Sequence, residues 1–189
     1  TAVTANPISG TQIDLGWVKN ANNDNVMVVT NSVNTFGVPV NGTAYVVSDT
    51  VTGGGTVVFN GSATLFNHTS LSAGTTYYYK VFSAEVASNY YSSGVTANAT
   101  TPFALPYFQN FNAATTIPTG WSTNFSDSAT HGASGTNGLY RNLWSSAPTG
   151  TARTPLVGLA AANTSLEFDY RIVDYDLYPA NGTIYAAGN

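Results

Sequence analysis

The sequence predicts an all-β fold, because its composition, its alternation of apolar residues and its turn dipeptides all favour strands. Charged residues make up only 7% of the 189 residues, against about 25% in an average soluble domain. Thr, Asn, Ser and Gly carry the polarity instead, and these residues suit pleated strands and tight turns. The hydrophobic content of 43% is enough for an apolar core. We therefore expect short strands, tight turns and little helix.

Residues 11–18 show the clearest strand pattern. Ile13, Leu15 and Trp17 alternate with polar or small residues, which places the three apolar side chains on one face of a strand. Residues 26–30 are predicted to form a buried strand, and further strands are predicted over residues 63–71, 75–84 and 95–100.

Turns are predicted between these strands. Residues 20–25 are rich in Asn, residues 53–55 are three glycines, and Asn41–Gly42 and Asn60–Gly61 are dipeptides typical of two-residue hairpin turns. A set of about seven short strands separated in this way is typical of a β-sandwich.

The first part of the chain resembles a fibronectin type III domain. Residues 71–81, Leu-Ser-Ala-Gly-Thr-Thr-Tyr-Tyr-Tyr-Lys-Val, are similar to that family's pattern Leu-x-Pro-Gly-Thr-x-Tyr-x-x-x-Val, with alanine in place of the usual proline. Residues 13–17 resemble the family's second strand, which ends in a core tryptophan. The resemblance implies a sandwich over residues 1–101, with Trp17 as a core anchor and Tyr77 as the tyrosine corner, whose hydroxyl contacts upstream backbone.

A short linker and a second β-domain are predicted next. Residues 102–106 hold two prolines around apolar residues, and proline does not fit a central strand. After this linker, residues 106–112 and 117–121 resemble the opening of MAM-like jelly rolls of the cleaved-adhesin type, where a strand of the form Phe-Glu leads to Pro-x-Gly-Trp. The resemblance implies that residues 107–189 are the N-terminal part of such a jelly roll.

The expected jelly roll is incomplete. Residues 151–157 and 165–172 are similar to a later pair of strands in that family. Four apolar residues in the second of these segments alternate with charged ones: Leu166, Phe168, Tyr170 and Ile172. A jelly roll needs eight strands to close its core, so we expect this apolar face to be left partly uncovered.

Charge and cysteine content exclude several classes of protein. The net charge of −4 argues against nucleic-acid binding, which needs clustered Lys and Arg. No apolar run approaches the roughly 18 residues of a membrane span. The chain has no cysteine, which excludes disulfides, thiolate metal sites and cysteine nucleophiles. We expect an exported protein, at a secreted or cell-surface location. Because it lacks disulfides, a bacterial source is favoured.

Catalytic residues are not expected. Neither His68 nor His131 accompanies a nucleophile motif such as Gly-x-Ser-x-Gly. Glu167 and Asp169 share one face of the strand predicted over residues 165–172, but Arg171 joins them and offsets their charge. A solvated strand face is the favoured interpretation, and the protein is predicted not to be an enzyme.

The acidic residues of the second segment have two interpretations. A solvated face followed by an acidic turn is favoured, and calcium binding is the alternative, because hard cations prefer clustered oxygen ligands and MAM-like jelly rolls often bind calcium. The candidate ligands are Asn112, Asp169, Asp174 and Asp176. Asn112 stands where that family usually has an acidic residue.

Two short motifs are similar to acceptor sites for O-glycosylation. Asp49-Thr50-Val51 and Asp127-Ser128-Ala129 resemble the Asp-Ser/Thr-apolar acceptor of the bacteria whose surface adhesins carry these jelly rolls. The resemblance implies glycans on Thr50 or Ser128.

Aromatic residues, at 13% of the chain, also allow two interpretations. Residues 77–79, Tyr90–Tyr91, Trp121 and Trp144 could form an exposed platform for sugar stacking, but an ordinary core and sheet surface is favoured. Alternation predicts that Tyr78 points away from the face shared by its two neighbours.

Three functions remain open from the sequence. The favoured one is a non-catalytic segment of a large exported bacterial surface adhesin, next to other domains of a longer chain, that presents or binds carbohydrate or protein ligands. The alternatives are an accessory region of a secreted protease or polysaccharide-degrading enzyme, and a structural repeat of a surface filament or layer. Fold alone does not separate them, because function depends on the loops of a common scaffold.

Overall fold

The computed structural model describes residues 2–109, 111, 116–128, 137–141, 149–158, 165–168, 170–173 and 184–188. The chain divides into two compact units, Thr1–Leu105 and Pro106–Asn189. Strands, turns and extended segments account for the described residues, with no helix among them, so the protein is all-β. Within those residues, no helix has the length and apolarity needed to cross a membrane.

Eight antiparallel strands form two sheets in the first unit. They are β1 (Val3–Ser9), β2 (Gln12–Trp17), β3 (Asn25–Asn31), β4 (Thr56–Gly61), β5 (Leu65–His68), β6 (Thr76–Glu85), β7 (Tyr90–Tyr91) and β8 (Val95–Thr100). One sheet has the order β1-β2-β5, and the other has the order β4-β3-β6, with β7 and β8 both pairing with β6.

The main hydrophobic core contains residues of both sheets. Ile13, Leu15 and Trp17 of β2 are buried, as the alternation predicted, and the exposed fraction of Trp17 is 6%. The indole Nε1 of Trp17 donates a hydrogen bond to the Ala63 carbonyl over 3.1 Å, which satisfies its polar group within the core. The other buried members of this cluster are Val26, Val28, Leu71, Tyr79, Val81 and Ala99.

Tyr77 packs partly buried against the same cluster. Its hydroxyl accepts a hydrogen bond from the backbone N–H of Ser72 over 2.9 Å, so it ties β6 to the turn that precedes the strand. Thr101 supports the turn from the other side, because its hydroxyl donates to the Ser72 carbonyl over 2.6 Å and accepts from the Thr75 N–H over 3.0 Å.

A second hydrophobic cluster lies on the outer face of the larger sheet. Residues 26–29 of β3 are all buried, and Met27 and Val29 point opposite to the main core because side chains alternate along a strand. The long β3–β4 connection, residues 32–55, folds back over this face. The buried members of the cluster are Met27, Val29, Tyr45, Val51, Val57, Phe82 and Ala84.

Hydrogen bonds fasten the β3–β4 connection to the sheet. The Tyr91 hydroxyl donates to the Thr43 carbonyl over 2.9 Å, and the Asn60 side chain donates to the Tyr45 carbonyl over 2.8 Å. At the end of the connection, Gly55 has a φ of +98°, and a Cβ there would lie 2.4 Å from Cγ1 of Val29. Only glycine allows this return to β4 without displacing the sheet.

The predicted turns and strand limits of the first unit differ most from the structure at Asn60–Gly61 and at residues 63–71. Asn41–Gly42 forms a turn, with a φ of +82° at Gly42. Asn60–Gly61, however, is not a hairpin turn, because both residues belong to β4 and pair with β3. The strand predicted over residues 63–71 is only β5, and its register with β2 covers Ile13 to Gly16.

The described part of the second unit contains three antiparallel strand pairs. Its strands are β9 (Ser122–Thr123), β10 (Ser126–Ser128), β11 (Gly138–Tyr140), β12 (Ala152–Arg153), β13 (Tyr170–Val173) and β14 (Ile184–Gly188). The pairs are β10 with β11, β12 with β9, and β13 with β14.

The strand predicted over residues 165–172 is too long at its start. Residues 165–168 are extended without strand pairing, and β13 begins only at Tyr170. Leu166 and Phe168 are 76% and 62% exposed, so they do not form the buried half of a strand face. Glu167 is exposed as well, and it shares no strand with Arg171.

Side-chain contacts in the second unit converge near Trp121. The rings of Trp121 and Phe111 meet edge to face with centroids 5.1 Å apart. The indole Nε1 of Trp121 donates to the Tyr107 hydroxyl over 3.0 Å. Just before it, Gly120 has a φ of +86°, and a Cβ there would lie 2.8 Å from Cβ of Pro155. The predicted Pro-x-Gly-Trp segment therefore forms a packed turn that requires its glycine.

Candidate functional site

A cavity of about 220 Å³ opens at one end of the first unit. It lies where β3 and β8 begin and where β6 approaches its end. Its lining residues are Asn20, Val26, Val81, Ser83, Ser92, Ser93, Gly94 and Val95. None of them is charged, so the cavity has neutral walls.

The cavity marks the end of the main core. Val26 and Val81 are buried members of that core, and they form the apolar floor together with Val95, which is 39% exposed. Two residues after Val81 the same face of β6 carries Ser83. Along this face of β6, the cavity is therefore lined by an apolar side chain at Val81 and by a hydroxyl group at Ser83.

Ser83 and Ser92 are joined by their backbones. The Ser92 N–H donates to the Ser83 carbonyl over 3.0 Å, and the Ser83 N–H donates to the Ser92 hydroxyl over 2.9 Å. The Gly94 N–H donates to the same hydroxyl over 3.3 Å. Because a serine hydroxyl has two acceptor positions and one donor, the Ser92 oxygen is saturated as an acceptor, and its proton is left to donate.

The opposite wall is an asparagine-rich turn held by its own side chains. The Asn20 amide donates to the Asp24 carboxylate over 2.6 Å, while its carbonyl oxygen accepts from the Asp24 N–H over 3.0 Å. Asn23, with a φ of +57°, completes the turn. Such side-chain-to-backbone bonds fix the wall before any ligand arrives.

Gly94 lets the third wall pack closely against β6. Its φ is +75°, and a Cβ there would lie 2.9 Å from Cε of Lys80 and from Cδ1 of Phe82. The Lys80 ammonium lies 5.2 Å from the centroid of the Phe82 ring. These two side chains occupy the outer face of β6, because they alternate with Val81 and Ser83.

An exposed aromatic ring lies next to the cavity. Tyr90 pairs with Glu85 in the β6–β7 register, and Glu85 is on the same face of β6 as Ser83, two residues further along. Two residues of a strand span about 7 Å. Tyr90 is 60% exposed, so its ring is accessible to a molecule that extends out of the cavity. Glu85 itself is occupied in capping the β6–β7 turn, where it accepts hydrogen bonds from Ala87 N–H and the Ser88 hydroxyl.

The two predicted glycosylation residues have different positions. Thr50 is exposed and forms an isolated bridge with Thr56. The neighbouring Asp49 carboxylate accepts from the Val46 N–H over 2.7 Å, so it holds a turn. Ser128 ends β10, where it pairs with Gly138.

The predicted calcium ligands Asn112, Asp169, Asp174 and Asp176 lie outside the described residues, and calcium binding there stays a prediction. Across the described ranges, no group of three or more His, Asp or Glu residues is positioned to hold a metal ion.

His68 is packed among aromatic rings at the edge of the main core. Its Nδ1 and the Tyr79 hydroxyl form a hydrogen bond of 3.0 Å, its ring stacks on Phe66, and Tyr77 meets it edge to face. Burial lowers the pKa of His68 below its usual 6.5, because the charged form loses hydration. His68 is therefore a structural residue of the sandwich, and His131 lies outside the described residues.

Stability is expected to fall as the pH decreases below about 6.5. The unfolded chain binds a proton on His68 more readily than the folded one, so the contribution of His68 is fully present above its unfolded pKa and is lost as the pH falls through its lower folded pKa. Urea unfolding between pH 7.5 and pH 5.5, with roughly half-unit steps, measures the change. In His68→Gln the slope should disappear, whereas His131→Gln should keep it. A slope that survives His68→Gln would assign the effect to other groups.

Sequence reasoning did not identify the cavity. Ser83 lies within the strand predicted over residues 75–84, and Tyr90–Tyr91 was noted only among the aromatic residues. The change from Val81 to Ser83 on one face of the predicted strand could have located the cavity, because it marks the point where the buried apolar residues of that face end.

Comparisons with known proteins add little to this geometry. No family model matches the chain, and no curated protein matches it. Among solved structures, the chain is similar to a β-sandwich protein redesigned by computer, with 18% sequence identity and a TM-score of 0.39. That match covers 53% of this chain and 90% of the redesigned protein.

Proposed function

We propose that this chain is a non-catalytic segment of an exported bacterial surface adhesin. The observation that carries the proposal is the cavity at the end of the first unit, which has neutral walls, preformed hydrogen-bonding groups and an exposed aromatic neighbour. Such a site can bind a ligand, but its lining holds no titratable group for acid–base catalysis. Adhesion requires binding without turnover.

The strand order supports a fibronectin type III-like identity for the first unit. The sheet β1-β2-β5 packs through Ile13 and Leu15 against a sheet that contains β4, β3, β6 and β8. The Tyr77 hydroxyl bonds to Ser72, five residues upstream, which is the role of a tyrosine corner. A sandwich of this kind suits a module that holds loops away from a cell surface.

For the second unit we propose the N-terminal part of a MAM-like jelly roll. Its support is the packed turn around Gly120 and Trp121, followed by short antiparallel pairs. In this proposal Asn112, Asp169, Asp174 and Asp176 supply oxygens to a calcium ion. The proposal also includes an O-linked glycan on Thr50 or Ser128, and the exposure of Thr50 leaves it open to a transferase.

Adhesion can be tested with the purified chain coupled to fluorescent beads. We expect the beads to be retained on surfaces coated with glycoproteins, while the same chain shows no turnover of glycan, peptide or ester substrates. Beads that carry the destabilised variant Trp17→Ala are the control for a folded binding surface. Antibodies against the chain should also label intact source cells from outside. A chain that is found only inside cells, or that hydrolyses a substrate, would refute the proposal.

A further inference from the structure

We propose that the cavity of the first unit binds one ring of a neutral carbohydrate and that Tyr90 stacks on the adjoining part of the ligand. The inference rests on the proposed adhesion function, for which it names the ligand class and the subsite. It assigns binding to the first unit.

The neutral lining selects against charged ligands. Arg and Lys commonly hold anionic ligands, and carboxylates commonly hold cationic ones; the eight lining residues include neither. The Lys80 ammonium lies over the Phe82 ring on the outer face of β6, and the Asp24 carboxylate is engaged by the Asn20 amide. A neutral ring with several hydroxyl groups can bind in this cavity without bringing in a charge that would have no partner there.

Hydroxyl groups of a sugar match the polar half of the walls. The Ser92 oxygen already accepts two hydrogen bonds, so its proton is left to donate to an acceptor on the ligand. Within the described part of the chain, the hydroxyls of Ser83 and Ser93 have no hydrogen-bond partner, so they can donate and accept. Each sugar hydroxyl also donates and accepts, so it can complete these bonds.

The apolar floor and the exposed ring match the C–H faces of a sugar. Val26, Val81 and Val95 form a floor against which a pyranose ring can place its C–H groups. Tyr90 pairs with Glu85, which lies about 7 Å beyond Ser83 along β6, and the Tyr90 ring is 60% exposed. A second ring can therefore stack on Tyr90 while the first fills the cavity.

The size of the cavity limits how much of the ligand is enclosed. A volume of about 220 Å³ is below the roughly 300 to 1,000 Å³ of sites that enclose drug-sized ligands. It suits a single ring, such as the end of a glycan chain. Affinity for one ring is then expected in the millimolar range, because few atoms are buried, and display of many copies on a surface would strengthen adhesion.

The experiment is a nuclear magnetic resonance titration of the full chain with methyl glycosides of glucose, galactose and mannose and with the corresponding disaccharides. Sialic acid and a neutral capped tripeptide serve as comparison probes. We expect at least one neutral glycoside to shift the methyl signals of Val81 and Val95, and a disaccharide to shift the ring signals of Tyr90 as well. Sialic acid and the peptide should leave these signals unchanged.

Variants separate this site from general surface binding. Tyr90→Ala should weaken disaccharide binding roughly fivefold to tenfold, the loss of one stacking contact, and should leave binding of the single ring nearly unchanged. Phe108→Ala removes an aromatic ring that is 83% exposed in the second unit and should change neither. Ser93→Ala removes a cavity hydroxyl and should weaken both ligands.

The possible outcomes are distinct. The inference is overturned if no neutral glycoside shifts the cavity signals, if only the peptide does, or if Tyr90→Ala and Phe108→Ala weaken binding equally. Beads that adhere to glycoproteins without competition from glycosides would retain the adhesion function and reject the carbohydrate subsite. Glycosides that bind the cavity of a chain that is never displayed outside the cell would retain the subsite and reject adhesion.

Discussion

Replacing Trp17 by alanine is expected to lower the free energy of unfolding of the first unit by about 3–5 kcal/mol. Trp17 is 6% exposed, lies in the main core with Ile13 and Leu15, and packs on Phe59 with ring centroids 5.4 Å apart. The substitution opens a cavity that the surrounding strands can fill only in part. It also leaves the Ala63 carbonyl without its indole donor.

Urea unfolding, followed by the amide signals of the first unit, measures this effect. Val18→Ala is the matched control, because Val18 is the next residue in the chain and is 64% exposed. It should change the stability by less than about 0.5 kcal/mol. Equal effects of the two substitutions, or an unchanged midpoint in Trp17→Ala, would show that Trp17 does not anchor this core.

Replacing Phe82 by alanine is expected to lower the free energy of unfolding by a similar amount, about 3–5 kcal/mol, although Phe82 lies on the outer face of its sheet. The reason is the second hydrophobic cluster, in which Phe82 is 1% exposed and residues 32–55 cover the sheet. Substituting an outer-face residue without such a cover would lower the free energy of unfolding far less, because that residue would already be in contact with water.

The matched control for Phe82 is Val38→Ala, since Val38 belongs to the covering connection but is 73% exposed. We expect its unfolding free energy to stay within about 0.5 kcal/mol of the native value. Hydrogen exchange adds a second measurement, because loss of Phe82 should expose the amides of residues 40–51 before those of β2. A small effect of Phe82→Ala would mean that residues 32–55 do not form a core with the sheet.

The main core illustrates what local pattern predicts well. Ile13, Leu15 and Trp17 were expected on one strand face, and all three are buried. The prediction succeeds because a strand has a period of two, so the relation among neighbouring residues depends on the backbone alone. The same reasoning gives β8, which spans Val95–Thr100 as expected.

Turn dipeptides predicted the structure less well than strand alternation, because the same Asn-Gly dipeptide can lie in a turn or within a strand. Asn41–Gly42 and Asn60–Gly61 carry the same local signal, yet only the first forms a turn. Asn60 instead pairs with Met27 and donates to the Tyr45 carbonyl. These partners are distant in sequence, so no local pattern can reveal them.

By itself the sequence determined the all-β fold and the inner face of β2, because composition and alternation act within a few residues. The cover that residues 32–55 place over the outer face of the larger sheet and the cavity between Asn20 and Ser92 were decided only in the tertiary structure. Each depends on segments that meet across dozens of residues, where packing and hydrogen bonding between distant strands outweigh local preference.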